Sequence, residues 1–244
     1  MRRIALFSDI HGNLAALDAV LADIDERGIS ERYCLGDLVG YGPDPAGVID
    51  RVRDLGIPTV LGNYDEGIGL RRGECGCYYA TAQARSDGAE SYAFTEPLVD
   101  DERAAWLAAL PHELRLQQGG RRVLLVHGSP RKVNEYLLPD RTDELLVRLA
   151  EAAEADVVCV GHVHVPYHRT LTGTDGARID YVSAGSVGKP KDGDWRACWT
   201  ELLLGDAGEV DSVFHRVVYD IGAVAAQMRA AGLPETLIAA LKNS

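Results

Sequence analysis

The chain has 244 residues, 46% of them apolar, with 37 acidic against 25 basic side chains, a formal net charge of -12 and a pI near 5. That length permits one large core or two modest ones, and one α/β domain over residues 1–244 is the simpler expectation. The charge excludes a general cationic grip on nucleic acid, and apolar stretches far below the ~20 residues of a spanning helix exclude membrane passage. Five cysteines, an odd number, make no paired disulfide framework, and a strand beginning at once at Arg3 leaves no signal peptide to expect. The expected setting is a reducing cytoplasm.

In chain order, Ile4 to Phe7 reads as a buried strand, followed by a helix with Asn13 as N-cap, Leu14, Leu17, Val20, Leu21 and Ile24 at helical spacing, and Gly28 as stop. A second strand ends at Asp37. Asp44-Pro45 sets the N-cap and first turn of a helix with Val48, Ile49, Val52 and Leu55 on one face, and Pro58 to Leu61 predicts a third strand. This β-α-β-α-β order predicts a parallel sheet with right-handed crossovers. Residues 66–111 break the rhythm: Gly67, Gly69 and Gly73 predict a loop, then helices over about 78–94 and 99–110, packed on the sheet or partly capping the site. Two strands with a turn at Gly119-Gly120 follow, then an amphipathic helix over 142–154 and a strand at Val157 to Val160. From Val165 onward four alternating or aromatic strands predict a second, largely antiparallel sheet, and 221–241 predicts one or two helices covering it or forming a dimer interface.

Five apolar runs share one property: each ends, within a residue or two, in side chains that bind metals. Ile4–Phe7 leads to Asp9 and His11, Tyr33–Leu35 to Gly36-Asp37, Thr59–Leu61 to Gly62-Asn63, Val123–Val126 to His127, and Val157–Val160 to Gly161-His162-Val-His164. Parallel strands are buried on both faces and place ligands beyond their carboxyl ends, so seven polar side chains are expected on one rim. Four of the chain's seven histidines lie there. Mixed nitrogen and oxygen donors suit manganese, iron, zinc, cobalt or nickel better than calcium, and the absence of cysteine donors speaks against a closed structural zinc site.

In this order the junctions resemble the motifs of the calcineurin-like metallophosphoesterases: D-x-H, G-D-x-x-G, G-N-H-[DE], a later H, and G-H-x-H, covering residues 9–164. The resemblance implies two mixed β-sheets packed together and flanked by helices, an α/β/β/α sandwich, and looks most like the small bacterial and archaeal phosphodiesterase branch. It further implies two divalent cations, manganese first, with iron, zinc, nickel, cobalt or magnesium as alternatives. Asp9, His11, Asp37 and His164 would hold one, and Asp37, Asn63, His127 and His162 the other. Two such ions leave a positive inner site even in an acidic protein, which attracts a phosphate for attack by a metal-bridging hydroxide. The implied activity is hydrolysis of a phosphodiester, phosphomonoester or nucleotide. Alternatives within and beyond enzymes are a diadenosine tetraphosphatase-like hydrolase and a protein-binding scaffold of the same fold; the expected partner is a small phosphorylated substrate, with a homo-oligomer left open.

One position departs from the pattern. Tyr64 stands where many members carry a histidine that assists the leaving group, and a phenol of pKa near ~10 donates a proton less readily than an imidazolium. Tyr64 is therefore expected either to serve as a weaker acid, beside Asp37 and Asn63 as catalytic residues, or simply to pack at the rim. Arg71 and Arg72, just past Asn63, are expected to join Asn63 in binding substrate. Solvated surface charge is the expectation for Arg131, Lys132, Lys189 and Lys191, and an ordinary loop for Cys75-Gly-Cys77.

Overall fold

The computed structural model describes residues 1–242. Strands β1 (Arg2–Phe7) and β2 (Arg32–Cys34) flank helix α1 (Leu14–Glu26), whose first turn is capped by the Asn13 side chain accepting from Ala16 N. Helix α2 (Pro45–Asp54) follows, capped by Asp44, then α3 (Asn63–Gly69), α4 (Ala82–Thr95) and α5 (Asp101–Ala108). After β3 (Glu113–Gln118), β4 (Arg121–Val126), α6 (Asp143–Ala152) and β5 (Val157–Val160) come β6 (Tyr167–Thr172), β7 (Arg178–Ser183), β8 (Ala197–Leu204) and β9 (Val210–Val217). Helices α7 (Ile221–Ala230) and α8 (Glu235–Lys242) complete the described chain.

The strands form two mixed sheets, ordered β2-β1-β8-β9 and β3-β4-β5-β7-β6. In the first, β1 is parallel to β2 and antiparallel to β8; in the second, β5 is parallel to both β4 and β7. Alternation along each buried strand explains why the sheets stack. Ile4, Leu6, Val123, Leu125, Val157 and Cys159 face one another in the layer between the sheets. Their neighbours Ala5 and Phe7 turn outward to α1, α2, α7 and α8, while Leu124, Val126, Val158 and Val160 turn outward to α6. A strand with an apolar residue at every position is what this four-layer α/β/β/α sandwich requires.

Three sequence expectations change. Pro58–Leu61 makes only a single bridge, Thr59 to Cys34, because Pro58 has no N–H to give and Leu61 N donates to the Pro111 carbonyl instead. The four strands after residue 165 do not share a sheet: β6 and β7 extend the second sheet through β5, and β8 and β9 extend the first through β1. Alternation marks a strand's faces but carries no record of its pairing partner. Gly67 and Gly69 lie inside α3 rather than in a loop, where a Cβ would fall 2.5 Å from the Glu74 carbonyl oxygen and 2.8 Å from Ala108 N. The C-terminal helices join the cluster over β1 and β8, with Val224, Met228 and Ile238 fully packed there. No helix among the described residues is long and apolar enough to cross a membrane.

Leu125 lies in the layer that joins the sheets, so Leu125→Ala is expected to lower the unfolding free energy by about 2–5 kcal/mol. Urea denaturation checks this, and a loss below about 1 kcal/mol would contradict an unyielding inter-sheet core.

Candidate metal centre

The candidate ligands leave the sheets through strained turns. Asp9, His11, Asp37, His162 and His164 all adopt positive φ, between 51° and 64°, a region that L-residues other than Asn, Asp and His rarely occupy. Each sits just past the carboxyl end of β1, β2 or β5. Asn63 opens α3, and His127 follows β4 directly. The turns interlock: Asp9 N donates to the Gly36 carbonyl, His162 N donates to Asp9 Oδ2, and Ser186 Oγ donates to the Asp9 carbonyl. Gly62 permits a close approach of the third junction to the second, since a Cβ there would lie 2.1 Å from Asp37 N.

Two groups result, Asp9 with His11 and His164, and Asp37 with His127 and His162, in each of which the donor atoms lie within 4.8 Å of one another. Asp37 Oδ2 lies between them, 3.4 Å from His127 Nε2 and 3.8 Å from His11 Nε2. Asn63 Oδ1 lies 3.1 Å from His127 Nε2, its amide oriented by Nδ2 donating to the Cys75 carbonyl. All seven residues are at most 3% exposed.

The hydrogen bonds show what these atoms want. His11 Nδ1 donates to the Val39 carbonyl and His164 Nδ1 to the Lys189 carbonyl, which fixes the tautomer of these two neutral rings, and His127 Nδ1 donates to the Leu35 carbonyl. The Nε2 lone pairs of His11 and His164 then point inward. His11 Nε2 and His164 Nε2 are 3.3 Å apart, and Asp9 Oδ1 is 3.2 Å from the latter, so three acceptors face one another without a proton between them. Asp9 Oδ1 and both nitrogens of His162 have no hydrogen-bond partner although buried. Unpartnered buried polar atoms are costly, and convergent, mixed N/O acceptors with two carboxylates fit divalent cations.

Electrostatics agree. Burial pushes the His11 and His162 pKa values down to about 3, and lowers that of His164 as well. Burial also opposes charge on His127, yet the facing Asp37 carboxylate outweighs it and raises the value to about 9. Burial alone would raise Asp37, but the imidazoles, His127 foremost, hold its carboxyl below the usual range. In the metal-free chain a proton on His127 thus stands where a cation would answer the same field.

His11, Asp37, His162 and His164 open into a cavity of about 280 Å3, also lined by Tyr41, Tyr64, Tyr136, Lys189 and Lys191. Tyr136 lies over the His162 ring at 3.9 Å. Tyr64 is fully buried, its hydroxyl donates to Ser91 Oγ, and burial raises its pKa well above the usual value, which makes it a still weaker acid. Arg71 and Arg72 do not line the cavity. Arg71 binds the Glu96 and Val99 carbonyls, and Arg72 pairs with Glu66. The cations at the cavity are instead Lys189, half-buried with Nζ 4.3 Å from the Tyr41 ring centre, and Lys191 at the rim. Cys75-Gly-Cys77 is more than a loop, because Cys77 Sγ accepts from Asn63 Nδ2 at 3.1 Å.

Asp65, the acidic position of the third motif, is a positioning residue to which the sequence assigned no role. Its carboxylate accepts from Asp37 N, Leu38 N and Gly62 N, binding the second junction to the third. The signal was its place three residues beyond the N-cap of α3, where an acidic side chain turns back to backbone donors.

The model of the calcineurin-like phosphoesterase superfamily domain matches residues 1–202. The chain belongs to the calcineurin-like phosphoesterase superfamily. Within it, the chain is 32% identical over 246 residues to the uncharacterized protein MJ0912 of Methanocaldococcus jannaschii, covering 96% of this chain and 95% of that one. A metallophosphoesterase from Sphaerobacter thermophilus superposes with a TM-score of 0.75 at 32% identity over 99% of both chains. A symmetrical bis(5'-nucleosyl)-tetraphosphatase of Acidovorax is 31% identical over 150 residues, 60% of this chain and 48% of that protein. Membership in this phosphoesterase superfamily implies divalent metal ions, and the two His/Asp groups are candidates to hold them.

Linkage gives these groups a pH signature. His11 and His162 have folded pKa values of about 3, below the ~6.5 of an unfolded histidine. As pH falls below about 6.5 the unfolded chain takes up these protons first, so stability is lost progressively toward pH 3. His127 works oppositely: its contribution is complete below about 6.5 and lost as pH rises through about 9. Thermal unfolding of chelator-treated protein is expected to show a melting temperature that falls from about pH 6.5 to 4.5, less steeply in His162→Asn. A flat profile in both proteins would contradict neutral, buried imidazoles.

Proposed function

We propose that the chain is a two-metal phosphohydrolase cleaving a phosphodiester, phosphomonoester or nucleotide. The observation that carries this reading is the trio of buried, mutually facing acceptors Asp9 Oδ1, His11 Nε2 and His164 Nε2, with no proton donor among them, beneath a cavity lined by lysines. Asp9, His11, Asp37 and His164 would hold one cation, and Asp37, Asn63, His127 and His162 the other. When bound, the ions supply positive charge for the phosphoryl oxygens and make hydroxide available near neutral pH.

The chain's own residues do the rest. The Nδ1 bonds of His11, His127 and His164 to backbone carbonyls keep three rings in the tautomer that presents Nε2. Asp65 holds the Asp37 turn by two backbone N–H groups, so the shared carboxylate does not swing when substrate enters. Lys189 and Lys191 offer N–H donors to the anionic substrate; burial, then the charge of Lys191, lowers the Lys189 pKa to about 8, so it is still largely protonated at neutral pH. In the net reaction water adds its oxygen to phosphorus, the bond to the leaving oxygen breaks, and that oxygen gains a proton. With Tyr64 committed to Ser91 and its pKa raised, good leaving groups are favoured.

A second reading, hydrolysis of dinucleoside polyphosphates, is favoured by the likeness to the Acidovorax tetraphosphatase over 60% of the chain. The scaffold reading has less support, because every candidate ligand position carries a competent donor. Manganese is the first metal to try.

With manganese, the protein is expected to release nitrophenol from bis(4-nitrophenyl) phosphate, and Asp37→Asn to lower kcat/KM by about 100-fold or more, since it removes the charge facing both groups. Near-normal turnover by that variant, or no turnover by the wild type with any divalent metal, would overturn the proposal.

A further inference from the structure

The chain contains four lysines, Lys132, Lys189, Lys191 and Lys242, among 25 cationic residues. Three of the four line two adjoining cavities. The inner one, about 280 Å3, is the space above the imidazoles and contains Lys189 and Lys191. The outer one, about 590 Å3 and more open, contains Lys132, Lys191 and Arg141. Tyr78, Ala80, Tyr136 and Lys191 belong to both, so the two spaces share a wall that includes the ring lying over His162.

Position alone does not make surface lysines a site; what sets these apart is that they line two adjoining cavities. Many arginines elsewhere are spent on carboxylates: Arg103 on Asp50 and Asp100, Arg122 on Asp156, Arg196 on Asp194. Among the described residues, Lys132, Lys191 and Arg141 have no ion pair, and Arg141 is anchored only through Nε to the Tyr136 carbonyl. The acids nearby are already engaged. Glu135, in the wall of the outer cavity, is held by Arg131 and by Ser129 Oγ, and Asp87, in the inner one, accepts from Gln83 and Thr236. Three cations without a salt bridge, Lys132 within the field of Glu135, therefore gather beside the candidate centre of a protein with a net charge of -12, which otherwise repels polyanions.

We propose that the outer cavity is a second anion subsite, formed by Lys132, Lys191 and Arg141, which receives the phosphates of the substrate that are not cleaved. This rests on the phosphohydrolase reading and deepens it by naming a substrate class: esters or anhydrides whose reacting phosphate is followed by at least one more phosphate. Lys191, common to both spaces, bridges successive phosphates along the chain, while Lys132 and Arg141 set how far that chain extends. A point-charge ammonium tolerates varied phosphate geometry, and the guanidinium adds a planar fork for two oxygens.

The test uses the full chain and two readouts. With manganese, at fixed free metal concentration, kcat/KM is measured for diadenosine tetraphosphate and for bis(4-nitrophenyl) phosphate, which has no further anionic group. The Lys132→Met/Lys191→Met double variant and Arg141→Met are each expected to lower the ratio of the two values at least about tenfold, mainly through KM of the polyphosphate. Separately, tripolyphosphate is expected to raise the melting temperature of chelator-treated wild type and not that of the double variant. An unchanged ratio, or equal thermal shifts in wild type and variant, overturns the subsite. Turnover of the aryl diester with neither polyphosphate turnover nor a tripolyphosphate shift also overturns it and leaves the phosphohydrolase reading standing. A tripolyphosphate shift specific to the wild type, without turnover of either substrate, supports the subsite and counts against that reading.

Discussion

Buried lone pairs that face one another are the constraint around which this molecule is organised. Asp9 Oδ1, His11 Nε2 and His164 Nε2 gather on one side, and Asp37 Oδ2, Asn63 Oδ1 and His127 Nε2 on the other, in a region almost without solvent exposure. Protein donors satisfy the outer edges of these groups; the inner edge of the first is left bare, and that of the second is answered in the metal-free chain by a proton on His127. A low-dielectric setting makes such acceptors expensive alone and strong together once a cation joins them.

Holding them there requires a frame that can store strain. Five of the seven candidate ligands adopt left-handed backbone conformations, each costing about 1–3 kcal/mol, and the turns that contain them are held by hydrogen bonds between junctions. The two-sheet sandwich provides the frame, because strands from both sheets end on the same rim: β1 and β2 from one, β4 and β5 from the other. Direct bonds across the sheets, such as His162 N to Asp9 Oδ2 and His127 Nδ1 to the Leu35 carbonyl, register the two halves at the site itself. Packing between the layers and geometry at the centre are therefore parts of one constraint.

The strand junctions were legible in the sequence because a buried strand announces itself by continuous apolar residues and its end by the first polar one, so Asp9, Asp37, His127 and His162 could be named before any coordinates. Helix boundaries were legible where a cap has a side chain to show, as at Asn13 and Asp44. Partnership between distant segments was not. Nothing in the alternation of β8 says that it pairs with β1, and nothing near Arg71 says that its guanidinium is taken by the Glu96 and Val99 carbonyls. Lys189 and Lys191 read as surface charge for the same reason: their meaning comes from what chain folding places opposite them. Asp65 and Cys77 act through the backbone or amide of a neighbouring motif, which is a contact that residue type alone does not encode.

The most direct measurement is electron paramagnetic resonance of the protein reconstituted with manganese, together with its metal content. With Asp37 Oδ2 between the two groups, close to His11 Nε2 on one side and His127 Nε2 on the other, the account predicts about two ions per chain and the spectrum of an exchange-coupled pair, both lost in Asp37→Asn. Binding of a single ion, or two ions giving only the spectrum of isolated manganese, would contradict the claim that these side chains form one two-cation centre.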